Sequence, residues 1–197
     1  ELRGISCFSL TTVPPPSKSV ISSQSFGHKT DSLETVKGAV ASHIAAAAEK
    51  MRSQHLAAKE LTVFMMTNCP DGKYGKNNHS TGISLPQATN DTAELIHYAM
   101  QAADIIHRKG YIYVKAGVMF SNLIPENHVQ ATLFTAPDNA NKNKKLMNTI
   151  DRVNTSMGRG TLRYAVQLQA LSSRAKHEHG RFRYTTNWQE LVVVKAV

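Results

Sequence analysis

The sequence predicts an α+β fold: a four-stranded, mainly antiparallel sheet with two helices on one face, followed by a small α/β extension. Two observations support this prediction. Segments with strand and helix periodicity alternate over residues 20–125 in the order strand, helix, strand, strand, helix, strand. Both helical segments carry one apolar stripe, so both can pack on the same face of the sheet and leave the other face open.

The first strand and the first helix are predicted at the start of this unit. The serine-rich segment from Val20 to Thr30 is the strand. Asp31 or Ser32 is the expected N-cap of the helix, with Glu34 in its first turn. Apolar residues then recur at spacings of three and four, which places them on one helical face: Leu33, Val36, Val40, Ile44, Ala47 and Met51.

Two further strands and a second helix are predicted next. Leu61 to Thr67 and Ile83 to Thr89 are the strands, and Pro86 indicates an edge strand or a bulge in the second of them. Asn90 or Asp91 is the expected cap of the helix, which ends at Lys109-Gly110. Its apolar stripe consists of Leu95, Ile96, Ala99, Ala103 and Ile106.

The last strand, Tyr111 to Phe120, alternates between two kinds of side chain. One set is aliphatic and is expected to face the helices: Ile112, Val114, Ala116 and Val118. The other set should lie on the open face: Tyr111, Tyr113, Lys115 and Gly117. A face with a cation and small residues is a surface on which another molecule can lie, although such tyrosines are more often cross-strand packing partners.

The regions on either side of residues 20–125 differ in composition. Residues 1–19 are expected to be a linker, because Pro14-Pro15-Pro16 enforces an extended backbone. Residues 126–140 are expected to be a tether, rich in Pro, Asp and Asn toward its end. Residues 141–197 form the extension, with a helix from Asn143 to Met157 and a strand from Thr161 to Leu168.

Near the end of the extension, Tyr184 and the only tryptophan, Trp188, form an aromatic anchor. A segment this short cannot build a large core of its own. The two rings are therefore expected to pack back on residues 143–168 or to dock on a partner.

The charge of the chain favours polyanionic partners. The sequence has 23 Lys and Arg against 14 Asp and Glu, a formal charge of +9, which favours nucleic acid first and an acidic membrane surface second. A merely basic surface without a ligand remains an alternative. No apolar run is long enough for a membrane span.

Few residue patterns indicate catalysis or metal binding. The two cysteines, Cys7 and Cys69, form no metal-binding pair and suit a reducing cytosol. His177 and His179 have no third ligand at useful spacing. There is no adjacent Asp-Glu pair and no Asp-x-Asp, so we expect no catalytic residue, no metal site and no cofactor in this chain.

The tether contains the string Gln130-Ala131-Thr132-Leu133-Phe134. A Gln amide can bond in a small polar pocket, and Leu133 with Phe134 can fill an apolar cleft. The string resembles the peptides by which polymerases and repair factors bind the bacterial sliding clamp. The alternative is that Leu133 and Phe134 cap the domain's own core.

Several stretches together resemble the C-terminal half of UmuC-type proteins, the catalytic subunits of the Y-family translesion polymerase called DNA polymerase V. They cover nearly all of the chain: residues 22–27 (SSQSFG), 61–64 (LTVF), 113–120 (YVKAGVMF), 130–134 (QATLF) and 184–188 (YTTNW).

The resemblance implies that residues 20–125 are the little-finger domain, which holds damaged or primer-template DNA. The expected DNA contacts are hydroxyls, an amide and cations: Ser22, Ser23, Gln24, Ser25, Lys29, Lys73, Lys76, Tyr113 and Lys115. Solvated surface charge is the alternative for each lysine. The family usually has Arg at the position of Gln24, so one expected contact is uncharged here.

The resemblance also implies partners and an upstream segment. A sliding clamp, a UmuD-type dimer and RecA are the expected partners in the SOS response, in a cytoplasmic, nucleoid-associated protein. The opening Glu1-Leu2-Arg3-Gly4 is typical of the interior of a longer chain, so we expect a polymerase core before it that holds Mg²⁺. The alternative is a free-standing nucleic-acid-binding module without polymerase activity. A small His/Asp enzyme is a remote third.

Overall fold

The computed structural model describes Gly4, residues 17–67, 78–130 and 137–173, and Leu191. Four strands form one antiparallel sheet in the order β1-β4-β2-β3. The elements are β1 (Val20–Thr30), α1 (Leu33–Ser53), β2 (Leu56–Thr67), β3 (Asn78–Thr89), α2 (Thr92–Ile106) and β4 (Tyr113–Pro125). This order and the two-helix layer confirm the predicted fold class. We call residues 20–125 the platform.

Both helices of the platform begin at N-caps that were among the residues predicted from the sequence. Ser32 caps α1, because its hydroxyl accepts a hydrogen bond from the Thr35 N–H at 3.3 Å. Asp91 caps α2, with its carboxylate accepting from the Ala93 N–H at 2.8 Å. Of the two candidates proposed at each start, the structure therefore selects the second.

The platform core lies between the two helices and one face of the sheet. The predicted stripes of α1 and α2 are buried there, except that Leu33 at the start of α1 is only half-buried. The sheet contributes alternate residues of β2 and β4, among them Leu61, Val63, Met65, Val118 and Phe120. Burying aliphatic side chains of this size stabilises by roughly 1.5–3 kcal/mol each, so this layer dominates the stability of the platform.

Pro86 lies on β3, which is an edge strand of the sheet. The pairing of β3 with β2 changes register between the pairs Ala58–Thr89 and Glu60–Ser84. Pro86 falls inside that irregular stretch, where a missing N–H breaks no regular ladder. The prediction of an edge or a bulge at Pro86 is confirmed.

The start of β4 contains a bulge that the alternation did not predict. Met66 pairs with Lys115, but the next residue of β2, Thr67, pairs with Tyr113, so Val114 is an extra residue in β4. The bulge turns Tyr113 to the helix side, where it is fully buried. Its hydroxyl accepts a 2.8 Å hydrogen bond from the Arg108 N–H. The prediction that Tyr113 lies on the open face is therefore wrong, and Ile112, expected in the core, is 48% exposed.

The part of the extension that the structure describes is helical. Helix α3 (Pro137–Met157) begins at Pro137 rather than at Asn143, and a 3₁₀ helix spans Ala165–Ser173. The predicted strand from Thr161 to Leu168 is wrong. Nearby side chains accept the hydrogen bonds that a partner strand would otherwise accept. The Leu162 N–H donates to Asn154 Oδ1 at 2.8 Å, and the Tyr164 N–H donates to Gln167 Oε1 at 2.7 Å.

Across the described residues, no helix combines the length and the apolar character that a membrane crossing requires.

Candidate nucleic-acid interface

The open face is the side of the sheet that faces away from α1 and α2. Cross-strand pairing arranges its residues in rows that run from β1 to β3. The rows are Ile21–Met119–Thr62–Gly82, Ser23–Gly117–Phe64–Ser80 and Ser25–Lys115–Met66–Asn78. The β1 and β3 sides of these rows hold mostly small or polar residues, with Ile21 as the exception. The middle strands hold larger side chains together with Thr62 and Gly117.

Gly117 is required by the close packing at the centre of the open face. A Cβ at this position would overlap Cβ of Ser23 and lie 2.5 Å from Cζ of Phe64. The Phe64 ring thus covers the glycine, as aromatic rings do across strands where a glycine leaves space. The surface at this point is therefore formed by the Phe64 ring and the Ser23 side chain rather than by a side chain at position 117.

Lys115 supplies positive charge on this face. It is half-buried between Ser25 on β1 and Met66 on β2. No ion pair of Lys115 is present among the residues that the structure describes. Glu60 lies on the same face at the other end of the strands, in the row next to Met119 and Thr62. Its carboxylate accepts a 3.0 Å hydrogen bond from the Ser121 hydroxyl. The basic and acidic ends of the open face are thus separated along the strands.

Two predicted contact residues lie on the other side of the sheet. The Ser22 hydroxyl is 3.0 Å from His43 Nδ1 on α1, and Gln24 pairs with Ala116, a buried core residue. Side chains alternate along a strand, so Ser22 and Gln24 cannot share a face with Ser23 and Ser25. The side chains of Ser22 and Gln24 therefore lie on the helix side and not on the open face. Both residues belong to β1, an edge strand.

The remaining predicted residues divide into two groups. Lys29 is exposed near the end of β1, beyond the point where its pairing with β4 becomes irregular. Gln130 is exposed, and its carbonyl oxygen accepts a hydrogen bond from Gln87 Nε2 of β3 at 3.2 Å. The structure thereby fixes the first residue of the QATLF string beside the β3 edge. The others lie outside the described residues: Lys73, Lys76, Leu133, Phe134, Tyr184 and Trp188.

A cluster centred on Arg52 was not predicted from the sequence. Arg52 ends α1 and bonds Asp151 of α3 in a bidentate pair at 2.6 and 2.7 Å. The same guanidinium donates to the Asn90 carbonyl at 2.7 Å and to the Thr92 hydroxyl at 2.8 Å. Only 8% of the Arg52 side chain is exposed. This residue joins α1, the start of α2 and the extension.

A second contact between the platform and the extension lies at the end of β4. The Glu126 carboxylate is 3.1 Å from Lys144 Nζ and 3.4 Å from His55 Nδ1, and Asn90 Nδ2 donates to it at 3.3 Å. Partial burial favours the neutral acid, but the hydrogen bonds and the charge of Lys144 outweigh it. They hold the pKa of Glu126 below its ordinary value.

Close packing completes the docking of the extension on α1. A Cβ at Gly38 of α1 would lie 2.8 Å from the backbone nitrogen of Ala170 in the 3₁₀ helix. Tyr164 is half-buried and its hydroxyl donates to Met147 Sδ at 3.7 Å. Burial, with the Asp91 carboxylate adding to it, raises the pKa of Tyr164. The extension thus covers the helix side and leaves the open face uncovered by its described residues.

Within the described residues, no group of three or more His, Cys, Asp or Glu side chains is placed to hold a metal ion. We therefore derive no metal-dependent step from these residues.

Comparison with known proteins identifies two regions. The model described as the impB/mucB/samB family C-terminal domain matches residues 17–133. A domain of unknown function (DUF4113) matches residues 144–194. The first region corresponds to the platform with the start of the tether, and the second to the extension.

Curated relatives align along almost the whole chain. Protein UmuC of Salmonella typhimurium is 34% identical over 200 residues, which cover 99% of this chain and 46% of UmuC. Protein ImpB of Salmonella typhimurium is 31% identical, and the alignment covers 99% of this chain and 46% of ImpB. Protein MucB of Escherichia coli is 30% identical, with 98% and 45% covered. The chain thus spans about half the length of these relatives.

Among solved structures, the insertion ternary complex of Dbh DNA polymerase matches 54% of this chain and 28% of that chain, with a TM-score of 0.44 at 16% identity. The family model, by contrast, covers more than half of the chain. The chain therefore belongs to the impB/mucB/samB family and carries the C-terminal domain of that family.

Proposed function

We propose that this chain is the DNA-holding and sliding-clamp-binding portion of an error-prone translesion DNA polymerase. The observation that carries the proposal is the open face, where Lys115 pairs with Ser25 in one row and Gly117 pairs with Ser23 in the next. Membership of the family supports it.

The chemistry of the open face suits the phosphate backbone of DNA rather than its bases. Hydroxyls and a lysine bond phosphate oxygens without reading sequence. Among the open-face residues, the longer side chains in the middle of the rows are mainly Phe64, Met66 and Met119, which cannot form the bidentate hydrogen bonds that identify a base. A surface that ignores base edges tolerates damaged bases, as bypass of a lesion requires.

The position of Gln130 supports the clamp-binding part of the proposal. Its exposed side chain begins the QATLF string, while its carbonyl is held by Gln87 at the β3 edge. A peptide anchored at one end and presented at a sheet edge can enter a groove on a ring-shaped clamp. Leu133 and Phe134 would supply the apolar contacts.

The wider role follows from the relatives and is part of the same proposal. The whole protein would act in SOS mutagenesis and DNA repair, with Mg²⁺ bound by its polymerase core. A UmuD-type dimer and RecA are the proposed protein partners, in the cytoplasm at the nucleoid. In this scheme the platform and the tether recruit and hold, and the described residues carry no catalytic role.

The first test is duplex binding by the full 197-residue chain. We expect Lys115→Gln to weaken the binding of a fluorescent DNA duplex several-fold and to reduce the slope of log K against log salt by about 0.9, the value for one lost phosphate contact. The matched control is Lys145→Gln, an exposed lysine on α3. Equal effects of the two variants, or duplex binding that salt does not change, would reject the open face as the DNA site.

The second test is clamp binding. Leu133→Ala/Phe134→Ala removes two apolar side chains worth roughly 1.5–3 kcal/mol each when fully buried, so the affinity for a purified bacterial sliding clamp should fall at least tenfold. Leu146→Ala, at a leucine that is 55% exposed on α3, is the control. If the double variant binds the clamp as well as the unaltered chain does, the free-standing DNA-binding module becomes the better description.

A further inference from the structure

A cleft of about 790 Å³ lies between α1 and the turn that follows α3, and it reaches the β1 edge of the sheet at Ile21 and Ser22. Small residues of α1, Ala45, Ala46 and Ala47, line one side of it. The other side is formed by residues of the extension, including Leu162 and Tyr164. The cleft exists only because the extension docks on α1. We call it the basic cleft, for the charges described next.

Cations outnumber the available anions in the basic cleft. Lys50, Arg159 and Arg163 line it, together with Arg52 and the acids Glu49 and Asp151. The bidentate pair with Arg52 occupies Asp151, so Glu49 is the remaining acid in the lining. Neither Lys50, Arg159 nor Arg163 forms an ion pair within the described part of the chain. The lining therefore retains an excess of positive charge.

The turn 158–163 carries two arginines of the cleft lining, and a hydrogen bond holds one of them. Gly158 and Gly160 have φ values of +108° and +81°, a conformation that other residues adopt at a cost, and Arg159 lies between them. Arg163 Nε donates to the Gly160 carbonyl at 2.6 Å. A Cβ on Gly160 would come within 2.6 Å of the same guanidinium. One Arg163 donor is thus used to fix the side chain, and its terminal NH₂ groups remain for a ligand.

We propose that the basic cleft binds the phosphate backbone of single-stranded DNA. The cations line a recess between two packed elements, which a single strand can enter more readily than the wider and stiffer double helix. Guanidinium and ammonium groups are the usual phosphate ligands, and hydroxyls and amides of Ser42, Ser53 and Asn154 line the same cleft. Leu162, 46% exposed, offers an apolar surface for a base. An acidic peptide is the alternative ligand, which competition with polyglutamate distinguishes.

This site goes beyond the proposed duplex-holding function, because its cations belong to α1 and the extension and not to the open face. Duplex bound on the open face and an unpaired strand in the basic cleft would occupy different surfaces of one chain. Binding of both by one molecule raises the effective concentration of the second strand near its site.

The test measures binding of a fluorescent oligothymidylate to the full chain. We expect Lys50→Gln/Arg159→Gln to weaken this binding about tenfold at low salt, with the salt slope reduced by about 1.4, or roughly 0.7 for each lost contact to a single strand. Duplex binding should not change. Lys109→Gln/Lys145→Gln, which removes the same charge from exposed positions outside the cleft lining, is the control.

Competition identifies the ligand. Unlabelled oligothymidylate should displace the probe, whereas ATP and polyglutamate at the same anionic charge should not. Displacement by ATP would assign a nucleotide site, and displacement by polyglutamate a peptide site; either would overturn the proposal. So would equal losses in the cleft and control variants. Failure of the open-face proposal would appear separately, as an unchanged duplex affinity in Lys115→Gln.

Discussion

The platform and the extension of this chain are stabilised by different kinds of interaction. The platform buries a continuous apolar layer between two helices and a sheet, with residues such as Ile44, Leu61 and Phe120 fully buried. The extension is joined to it by polar contacts, in which Arg52 and Glu126 are central, and by the packing of Tyr164, Val166 and Ala170 on the helix side. Its described apolar contribution is smaller, with Met147 and Ala170 the buried hydrophobic residues.

The platform and the extension should therefore respond differently to mutation. An apolar layer loses stability in proportion to the volume removed, and many neighbours share the loss. A buried ion pair concentrates its contribution in two side chains, and removing one leaves the other desolvated and unpaired. Single substitutions should therefore release the extension while the platform stays folded.

The largest effect is expected for Asp151→Leu. It leaves the Arg52 guanidinium buried without its carboxylate, which costs about 3–5 kcal/mol when such a pair is broken. Hydrogen exchange should show the backbone of α3 losing protection while β2 and β4 keep theirs. The double variant Arg52→Met/Asp151→Leu removes both charges and should recover much of the loss. Equal loss of protection in the sheet would contradict the division into two regions.

A smaller effect is expected at Gly38. In Gly38→Ala the new methyl group would meet the Ala170 nitrogen and the Gln169 Cβ, at 2.8 and 3.0 Å. Overpacking of this kind costs typically 1–3 kcal/mol. Gly82→Ala is the control, since its Cβ would meet only Thr62 Oγ1 at 3.6 Å, an ordinary contact. Hydrogen exchange of α3 at increasing urea concentration should show a larger loss of protection in Gly38→Ala than in Gly82→Ala.

The smallest effect is expected from acid. The pKa of Glu126 is lowered in the folded protein, so its ion pair stabilises the docked extension above the pKa of the unfolded state, near 4.5, and the stabilisation is lost as pH falls through the folded value. Lys144 is 59% exposed, which limits the contribution to about 0–1 kcal/mol. Glu126→Gln should remove this part of the pH dependence, as seen in α3 protection between pH 6 and about pH 3. An unchanged profile would assign the acid sensitivity to other carboxylates.

The features predicted correctly from the sequence depend on neighbours along the chain. The caps at Ser32 and Asp91, the two apolar stripes and the edge position of Pro86 all follow from spacings of a few residues. The assignment of Lys115 to the open face also follows from alternation. Predictions from such local spacings hold in the folded chain unless an irregular pairing between strands changes the side on which a residue lies.

The features that were missed depend on contacts between distant segments. The extra residue at Val114 exists only in the pairing of β4 with β2, and it reverses the side on which Tyr113 lies. Arg52 and Asp151 are separated by 99 residues, and no spacing rule connects them. The segment from Thr161 to Leu168 has strand-like composition, but its backbone N–H groups donate hydrogen bonds to the Asn154 and Gln167 side chains, which stabilise a turn and a 3₁₀ helix instead.

The strand order β1-β4-β2-β3 has a geometrical consequence. The QATLF string begins beside β3, through the bond between Gln87 and Gln130, whereas the basic cleft includes Ile21 and Ser22 of β1. These strands are the two edges of the sheet, about 14 Å apart at the usual spacing between strands. A force on the tether would therefore act at one edge of the sheet, about 14 Å from the edge that borders the basic cleft.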